Sequence, residues 1–217
     1  MAANGSTAEN LLPLTGGCSC GLIRYQLTRY PILVHCCYCA ACQRQTGSAF
    51  ALNAVVEASA LELLASSAAS PTDPGPEPVP IGLTPAFASL TGAAPPTGSS
   101  AAPALVCIPT ESQLGQTVAH CPACHTGLWN YYADAGPTVA YVRVGTLDRA
   151  RQVEPDVHIY TRSRRAFLAA IDDGKPQFDD YYPSRDALVT GDALERLQAL
   201  KPVVNKWREE MKATLSK

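Results

Sequence analysis

A chain of 217 residues with 47% hydrophobic side chains and a formal charge of −2 has the length for one domain with a sizeable core. That charge balance excludes the strong basic field that draws a protein to nucleic acid or to an acidic membrane surface. Met1 to Asn10 lacks the basic and apolar regions of a secretory signal, and no later run is long enough to span a bilayer. The expectation is a soluble, cytoplasmic protein whose thiols stay reduced.

In chain order, residues 1–13 read as a flexible N-terminus. The turn Thr15 to Gly21 carries Cys18 and Cys20 among three glycines, and Leu22 to Thr28 then alternates, with Ile23, Tyr25 and Leu27 on one face of a half-buried strand. Ile32 to Cys36 reads as a second strand feeding Cys37-Tyr38-Cys39-Ala40-Ala41-Cys42, and Ala40 to Gln45 as a helical turn stopped by Gly47. Ser48 to Val56 alternates again, with Phe50, Leu52, Ala54 and Val56 on one side. Residues 66–104 hold nine of the eighteen prolines and two charges, the composition of an insertion that buries no core. Strand signals return at Leu105 to Ile108, Gln116 to His120, Leu128 to Tyr132, Thr138 to Val144 and Val157 to Tyr160, with the knuckle Cys121-Pro122-Ala123-Cys124 among them. In the extension 161–217, Asp192 stands as the cap of a helix bearing Leu194, Leu197, Leu200, Val204, Trp207 and Met211 at helical spacing. Pro202 is expected to kink or split that helix, and its apolar side to pack within the chain or form a homodimer contact. The fold class is mainly β, small antiparallel sheets around a four-cysteine zinc, with a C-terminal helical tail.

Nine cysteines without an export signal point to metal ligation rather than disulfides, and adjacent or Cys-x-Cys thiols fit disulfide geometry poorly. Tetrahedral zinc with Zn–S near ~2.3 Å needs sulfurs about 3.8 Å apart. Two residues apart on a strand, side chains sit roughly 6.6 Å apart, so Cys18 and Cys20 must lie at a bend, which their glycines permit. Cys121 and Cys124 have the spacing of a zinc knuckle. Together the four make a closed, structural site whose binding energy is folding energy. Cys37, Cys39 and Cys42 supply three thiolates, leaving either an open reactive position or a tetrahedron closed by His35, Cys36 or His120. Cys36 points away from Cys37 in an extended chain, whereas His35 shares its face. Cys36 and Cys107 remain over.

The motifs Gly16 to Tyr25, Cys37 to Cys42, Thr46-Gly47-Ser48-Ala49-Phe50 and Cys121 to Cys124 closely resemble the glutathione-dependent formaldehyde-activating enzyme family, which also includes centromere protein V. Gly145 to Asp148 and Pro155 to Tyr160 look like further landmarks, and the resemblance spans roughly residues 14–160. It implies a β-tent fold, a structural zinc on Cys18, Cys20, Cys121 and Cys124, and a catalytic zinc on Cys37, Cys39 and Cys42. It also implies carbon–sulfur lyase chemistry between glutathione, as co-substrate, and an aldehyde. The chain departs at His125, where the family usually has glycine, at the Pro-rich insertion and after Tyr160.

By residue type, His158 and His35 are candidate proton shuttles, and Arg162, Arg164 and Arg165 candidate grips for the carboxylates of a thiol peptide. A zinc bearing three thiolates suits thiol binding better than water activation. The partner expected is a small thiol or thiol conjugate, extending to a larger carbonyl or quinone-like adduct. The rival reading is a non-catalytic zinc-stabilised interaction module.

Overall fold

The computed structural model describes residues 11–64, 102–110, 114–169 and 171–216. Most of the Pro-rich insertion, residues 66–101, lies outside the described residues, as does the N-terminus before Leu11. The strands are β1 (Leu14–Gly17), β2 (Arg24–Leu27), β3 (Leu33–Cys37), β4 (Ala51–Glu57), β5 (Leu61–Leu64), β6 (Ala104–Ile108), β7 (Gln116–His120), β8 (Gly127–Tyr132), β9 (Val139–Arg143) and β10 (Val157–Ile159). The helices are α1 (Ala40–Thr46) and α2 (Gly191–Leu215). A three-stranded antiparallel sheet runs β1-β2-β5, and a seven-stranded sheet runs β10-β3-β4-β9-β8-β7-β6. Every pairing is antiparallel except β10 with β3, so the large sheet is mixed. No described helix is long and apolar enough to cross a membrane.

Both faces of the central strands β3, β4 and β9 of the large sheet are buried. Val34, Ala54, Val56, Ala140 and Val142 face one core, capped by the small sheet through Leu14, Ile23, Tyr25 and Leu27. Their strand neighbours Leu33, Cys37, Val55, Val139 and Tyr141 face a second core, covered by Val189, Leu194, Leu197 and Val204 of the C-terminal extension. The half-buried reading holds for β2, where Arg24 and Gln26 are more exposed than Tyr25 and Leu27. It is too narrow for β4: Ala51, Asn53 and Val55 are buried alongside Ala54 and Val56. The extension supplies the cover that a reading confined to β4 cannot see.

Helix α2 departs from its expectation at its cap, and of the kink or split expected at Pro202 the split is absent. Its N-cap is Thr190, with Asp192 inside the first turn, where a carboxylate meets the positive end of the helix dipole. Pro202 lies within a single continuous helix. The apolar side packs on its own chain, and Trp207 donates from Nε1 to the Ala133 carbonyl at 2.7 Å. Its indole covers Gly136, where a Cβ would lie 2.4 Å from the ring; the glycine, at φ +59°, also adopts a backbone that L side chains avoid. At the other end of the chain, Leu11 and Leu12 pack against the first core and Arg149 donates to the Leu11 and Pro13 carbonyls.

Arg196 ties α2 to the sheet. Its Nε donates to Glu57 Oε1 at 2.7 Å, a second nitrogen reaches Oε2, and the pair is 8% exposed at each residue. Burial works against the charged form of Glu57, but the bonds and charge of Arg196 win and hold the carboxyl below its usual range. A depressed pKa gives stability that is present above the unfolded value, near ~4.3, and is lost as pH falls through the folded one. Arg196→Ala leaves the buried Glu57 only Arg29, a mostly exposed cation 3.7 Å away, and is expected to cost roughly 2 to 3 kcal/mol. Denaturant titration at pH 7 checks this, and the deficit should shrink as the titration is repeated toward pH 3.

Candidate metal centres

The four-cysteine cluster forms where two turns meet. Cys18 and Cys20 occupy the bend between β1 and β2, with the Ile23 N–H donating to Cys18 Sγ at 3.2 Å. Cys121 and Cys124 occupy the β7–β8 turn, closed by the His125 N–H on the Cys121 carbonyl. Sulfurs of Cys18 and Cys20 lie 3.5 Å apart, and those of Cys20 and Cys121 3.7 Å apart. These are close to the edges of a zinc–thiolate tetrahedron, ~3.8 Å, and all four sulfurs fall within 4.8 Å of one another. Against burial, the Thr126 hydroxyl, 3.1 Å from the sulfur, and nearby backbone N–H groups bring the Cys124 thiol down to about 6. Burial pushes Cys20 up. The donor set fits zinc: four soft sulfurs, two of them buried, with surroundings that favour the thiolate form of Cys124.

The second cluster, Cys37, Cys39 and Cys42, also lies within 4.8 Å. Cys37 ends β3, Cys39 is the N-cap of α1 and Cys42 sits one turn in, its N–H directed at Cys39 Sγ at 3.4 Å. Gly47 ends α1 at φ +61°, the left-handed stop anticipated from its residue type. Hydrogen bonds from Cys37 and then Cys39 pull the Cys42 thiol well below its ordinary range, and Arg143 adds to them. Donation to Cys39 and Cys42, with burial, keeps Cys37 high. Asn53 Nδ2 reaches Cys42 Sγ at 3.8 Å and is itself held by Arg143, which also donates to Gln45. Three crowded sulfurs, flanked by a guanidinium and an amide, fit a divalent cation that displaces their protons. Asn53 and Arg143 were not read from the sequence. The one signal was polar residues on otherwise apolar strands β4 and β9.

No further His, Cys, Asp or Glu joins this second cluster among the described residues. His35 shares the Cys37 face of β3 but gives Nε2 to the Tyr182 hydroxyl at 2.8 Å. Burial, then the Arg185 charge, lowers its pKa to about 3, so the ring is neutral. His158 pairs with Cys36 in the sheet register, on the opposite face from Cys37. It is fully buried, with Nδ1 3.1 Å from the Tyr38 hydroxyl and Nε2 3.0 Å from Asp173. Cys36 lies buried beside that pair, whereas Cys107 is exposed on β6. His120 Nδ1 meets the His125 carbonyl at 3.2 Å.

The three arginines divide. Arg162 pairs with Asp180, and Arg164 lies 5.0 Å over the Tyr38 ring and donates to Gln177. Arg165 joins Gln43, Arg44, Ser163 and Phe167 in a groove of about 630 Å³ along α1. Helical spacing puts that groove's Ala40, Arg44 and Gly47 on the side of α1 away from Cys42. Around the sulfurs stand Tyr132 and Tyr160, whose phenol groups feel the charge of the cluster. Behind them come Tyr141, Tyr181, Tyr182 and Arg185.

Fold and site thus define a mainly β protein with two cysteine clusters able to hold zinc on opposite faces of one sheet. The sequence matches the family of glutathione-dependent formaldehyde-activating enzymes over residues 13–77 and 99–163, more than half of its length, and the chain belongs to that family. No individual curated protein matches it. A crystal structure of a Rhodobacter sphaeroides protein is similar over 76% of this chain and 99% of that one, with 12% identity and a TM-score of 0.35, too distant a likeness to bear on function.

Two outcomes follow from these contacts. Arg143→Met removes the cation beside Cys42 and is expected to weaken metal binding at the three-cysteine cluster about 10- to 100-fold, measured by competition with a chromophoric chelator, while the four-cysteine cluster keeps its affinity. His125, at φ +59°, holds a left-handed backbone. His125→Gly is expected to stabilise the metal-loaded protein by about 1 kcal/mol, read as a raised thermal midpoint.

Proposed function

We propose that this chain is a zinc-dependent carbon–sulfur lyase that makes or breaks an adduct between glutathione, or a similar thiol, and an aldehyde or other carbonyl metabolite. One observation carries the reading: Cys37, Cys39 and Cys42 converge without a fourth protein donor among the described residues, while His35, the residue best placed to be one, is engaged by Tyr182. Membership in a family of glutathione-dependent enzymes supports the thiol as the incoming group. When bound there, zinc would keep a substrate thiol in its thiolate form at neutral pH, the nucleophile in one direction and the leaving group in the other.

The chain's own residues do the rest. Arg143 and Asn53 steady the charge on Cys42, and thus the electron density that the sulfur cluster offers. Tyr132 and Tyr160 provide aromatic walls beside the sulfurs, which shield a reactive adduct from water. His35 stays neutral at working pH and acts as hydrogen-bond partner of Tyr182 rather than as a charged acid. A hydroxyl proton leaving the hemithioacetal has the linked hydroxyls of Tyr181 and Tyr182, 2.8 Å apart, as a route outward, since Tyr181 is 40% exposed. Cys18, Cys20, Cys121 and Cys124 would hold a separate zinc whose work is structural.

Elemental analysis of wild type and Cys39→Ala tests this assignment. Two zinc ions per chain should fall to one with the circular dichroism spectrum unchanged, and glutathione should raise the thermal midpoint of wild type alone. Loss of folding in Cys39→Ala would remove the functional assignment of that cluster. Indifference of the wild type to glutathione would instead favour an interaction module.

A further inference from the structure

Building on the proposed thiol chemistry, we infer that Arg185, with the hydroxyls of Tyr181 and Tyr182, forms a carboxylate-binding site at the edge of the three-cysteine cluster, taking a carboxylate of the thiol substrate. All three residues belong to the C-terminal extension, beyond the residues matched to the family.

Arg185 donates from Nε to the Tyr182 hydroxyl at 2.9 Å, and from its second terminal nitrogen to Tyr181 at 2.7 Å and Tyr141 at 3.4 Å. Each acceptor is a neutral phenol, and burial keeps the Tyr141 and Tyr182 hydroxyls protonated. Among the described residues no carboxylate lies within ion-pair distance, whereas Arg24, Arg29, Arg162, Arg196 and Arg208 each have one. A guanidinium partly withdrawn from water and ringed by neutral oxygens is one anion short. Its planar fork is suited to a carboxylate, and phenol hydroxyls turned toward the same oxygens add donors.

Position ties this site to the sulfurs. Tyr182 bonds His35, two residues before Cys37 on the same strand face, and the His35 ring feels the charges of both Arg185 and Cys42. Tyr181 stands 6.3 Å, ring to ring, from Tyr160, which borders Cys37 and Cys39. The partial exposure of Tyr181 leaves the network open to an incoming ligand. A thiol that also carries a carboxylate, as glutathione does, can therefore be held at two points, and a carbonyl adduct on its sulfur would sit between them.

The test uses full-length protein loaded with cobalt in place of zinc, so that a thiol reaching the metal changes the visible spectrum, with calorimetry reading affinity in parallel. Ligands are glutathione, its diethyl ester, S-methylglutathione and cysteamine. Wild type should bind glutathione about 10- to 100-fold more tightly than the ester. Arg185→Gln should abolish that preference and leave cysteamine affinity unchanged, while Arg185→Lys should recover part of it. Equal affinity of wild type for glutathione and its ester, or a preference that survives in Arg185→Gln, would overturn the inference. S-methylglutathione separates the two readings, because it keeps both carboxylates but has no free thiol. If it binds wild type and not Arg185→Gln while no thiol alters the cobalt spectrum, the carboxylate site stands and the thiol chemistry falls. Should Arg185→Gln fail to fold, the comparison of glutathione with its ester on wild type decides alone.

Discussion

Sulfurs crowded at van der Waals distance set the terms for this fold. Cys20 and Cys121, separated by 101 residues in sequence, bring their sulfurs to 3.7 Å across the gap between the small sheet and the β7–β8 turn of the large one. Thiolates at that spacing repel strongly in a medium of low dielectric, so the arrangement is stable only with protons or a cation between them. A divalent cation bound there would turn repulsion into a join between the two sheets. Around it the chain adds neutral and charged cross-links: Ser19 to Thr126, Thr15 to Asp148, and Arg24 to Asp148. Ile23, Tyr25 and Leu27 carry the inner face of the small sheet into the same core that Cys18 and Cys121 border.

The large sheet then sorts chemistry by parity. Along β3, Val34 and Cys36 lie on one side and Leu33, His35 and Cys37 on the other. The four-cysteine cluster borders the first core and the three-cysteine cluster the second. A one-residue slip of β3 would exchange Cys36 for Cys37 and carry a cysteine ligand to the wrong face. Register is pinned by pairing with β4 on one edge and β10 on the other, and by the Asp156 carboxylate accepting the Val34 N–H at 2.8 Å. The separation lets one cluster stay closed while the other faces aromatic groups contributed from elsewhere in the chain.

Features written into local spacing could be read from the sequence, and those made by distant encounters could not. Cys18/Cys20 and Cys121/Cys124 announce paired ligands because the bend each needs is encoded beside them, in glycines on one side and a Pro-containing knuckle on the other. The alternation of Ile23, Tyr25 and Leu27 and the left-handed stop at Gly47 belong to the same kind of signal. The groups that hold Cys42 from behind differ. Asn53 and Arg143 look like interruptions of apolar strands, and only the pairing of β4 with β9, ninety residues apart, makes them one unit. Tyr182 meets His35 across 147 residues. In the extension, sequence reasoning turns to Arg162, Arg164 and Arg165, whereas nothing in the local sequence around Tyr181, Tyr182 and Arg185 marks them as part of a site, because the pattern there is that of an irregular connection and their partners lie on β3 and β9.

His158 shows how an imidazole conspicuous in sequence can serve placement. The segment after Asp173 runs beside β10: the His158 N–H meets the Pro176 carbonyl, the Phe178 N–H meets the His158 carbonyl, and the Tyr160 N–H meets the Asp180 carbonyl. Asp173 accepts from His158 on the side chain as well, which lowers the carboxyl's pKa against its own desolvation. These bonds cover an otherwise open sheet edge and fix where residues 181–185 emerge. A few residues further on, the chain turns Tyr181 and Tyr182 over His35 and extends Arg185 toward their hydroxyls. The extension is thereby registered to β10, β10 to β3, and β3 to Cys37. The His158 ring itself lies on the face of the sheet that Cys37 does not share, so its link to the sulfurs runs through the backbone of β10 and β3.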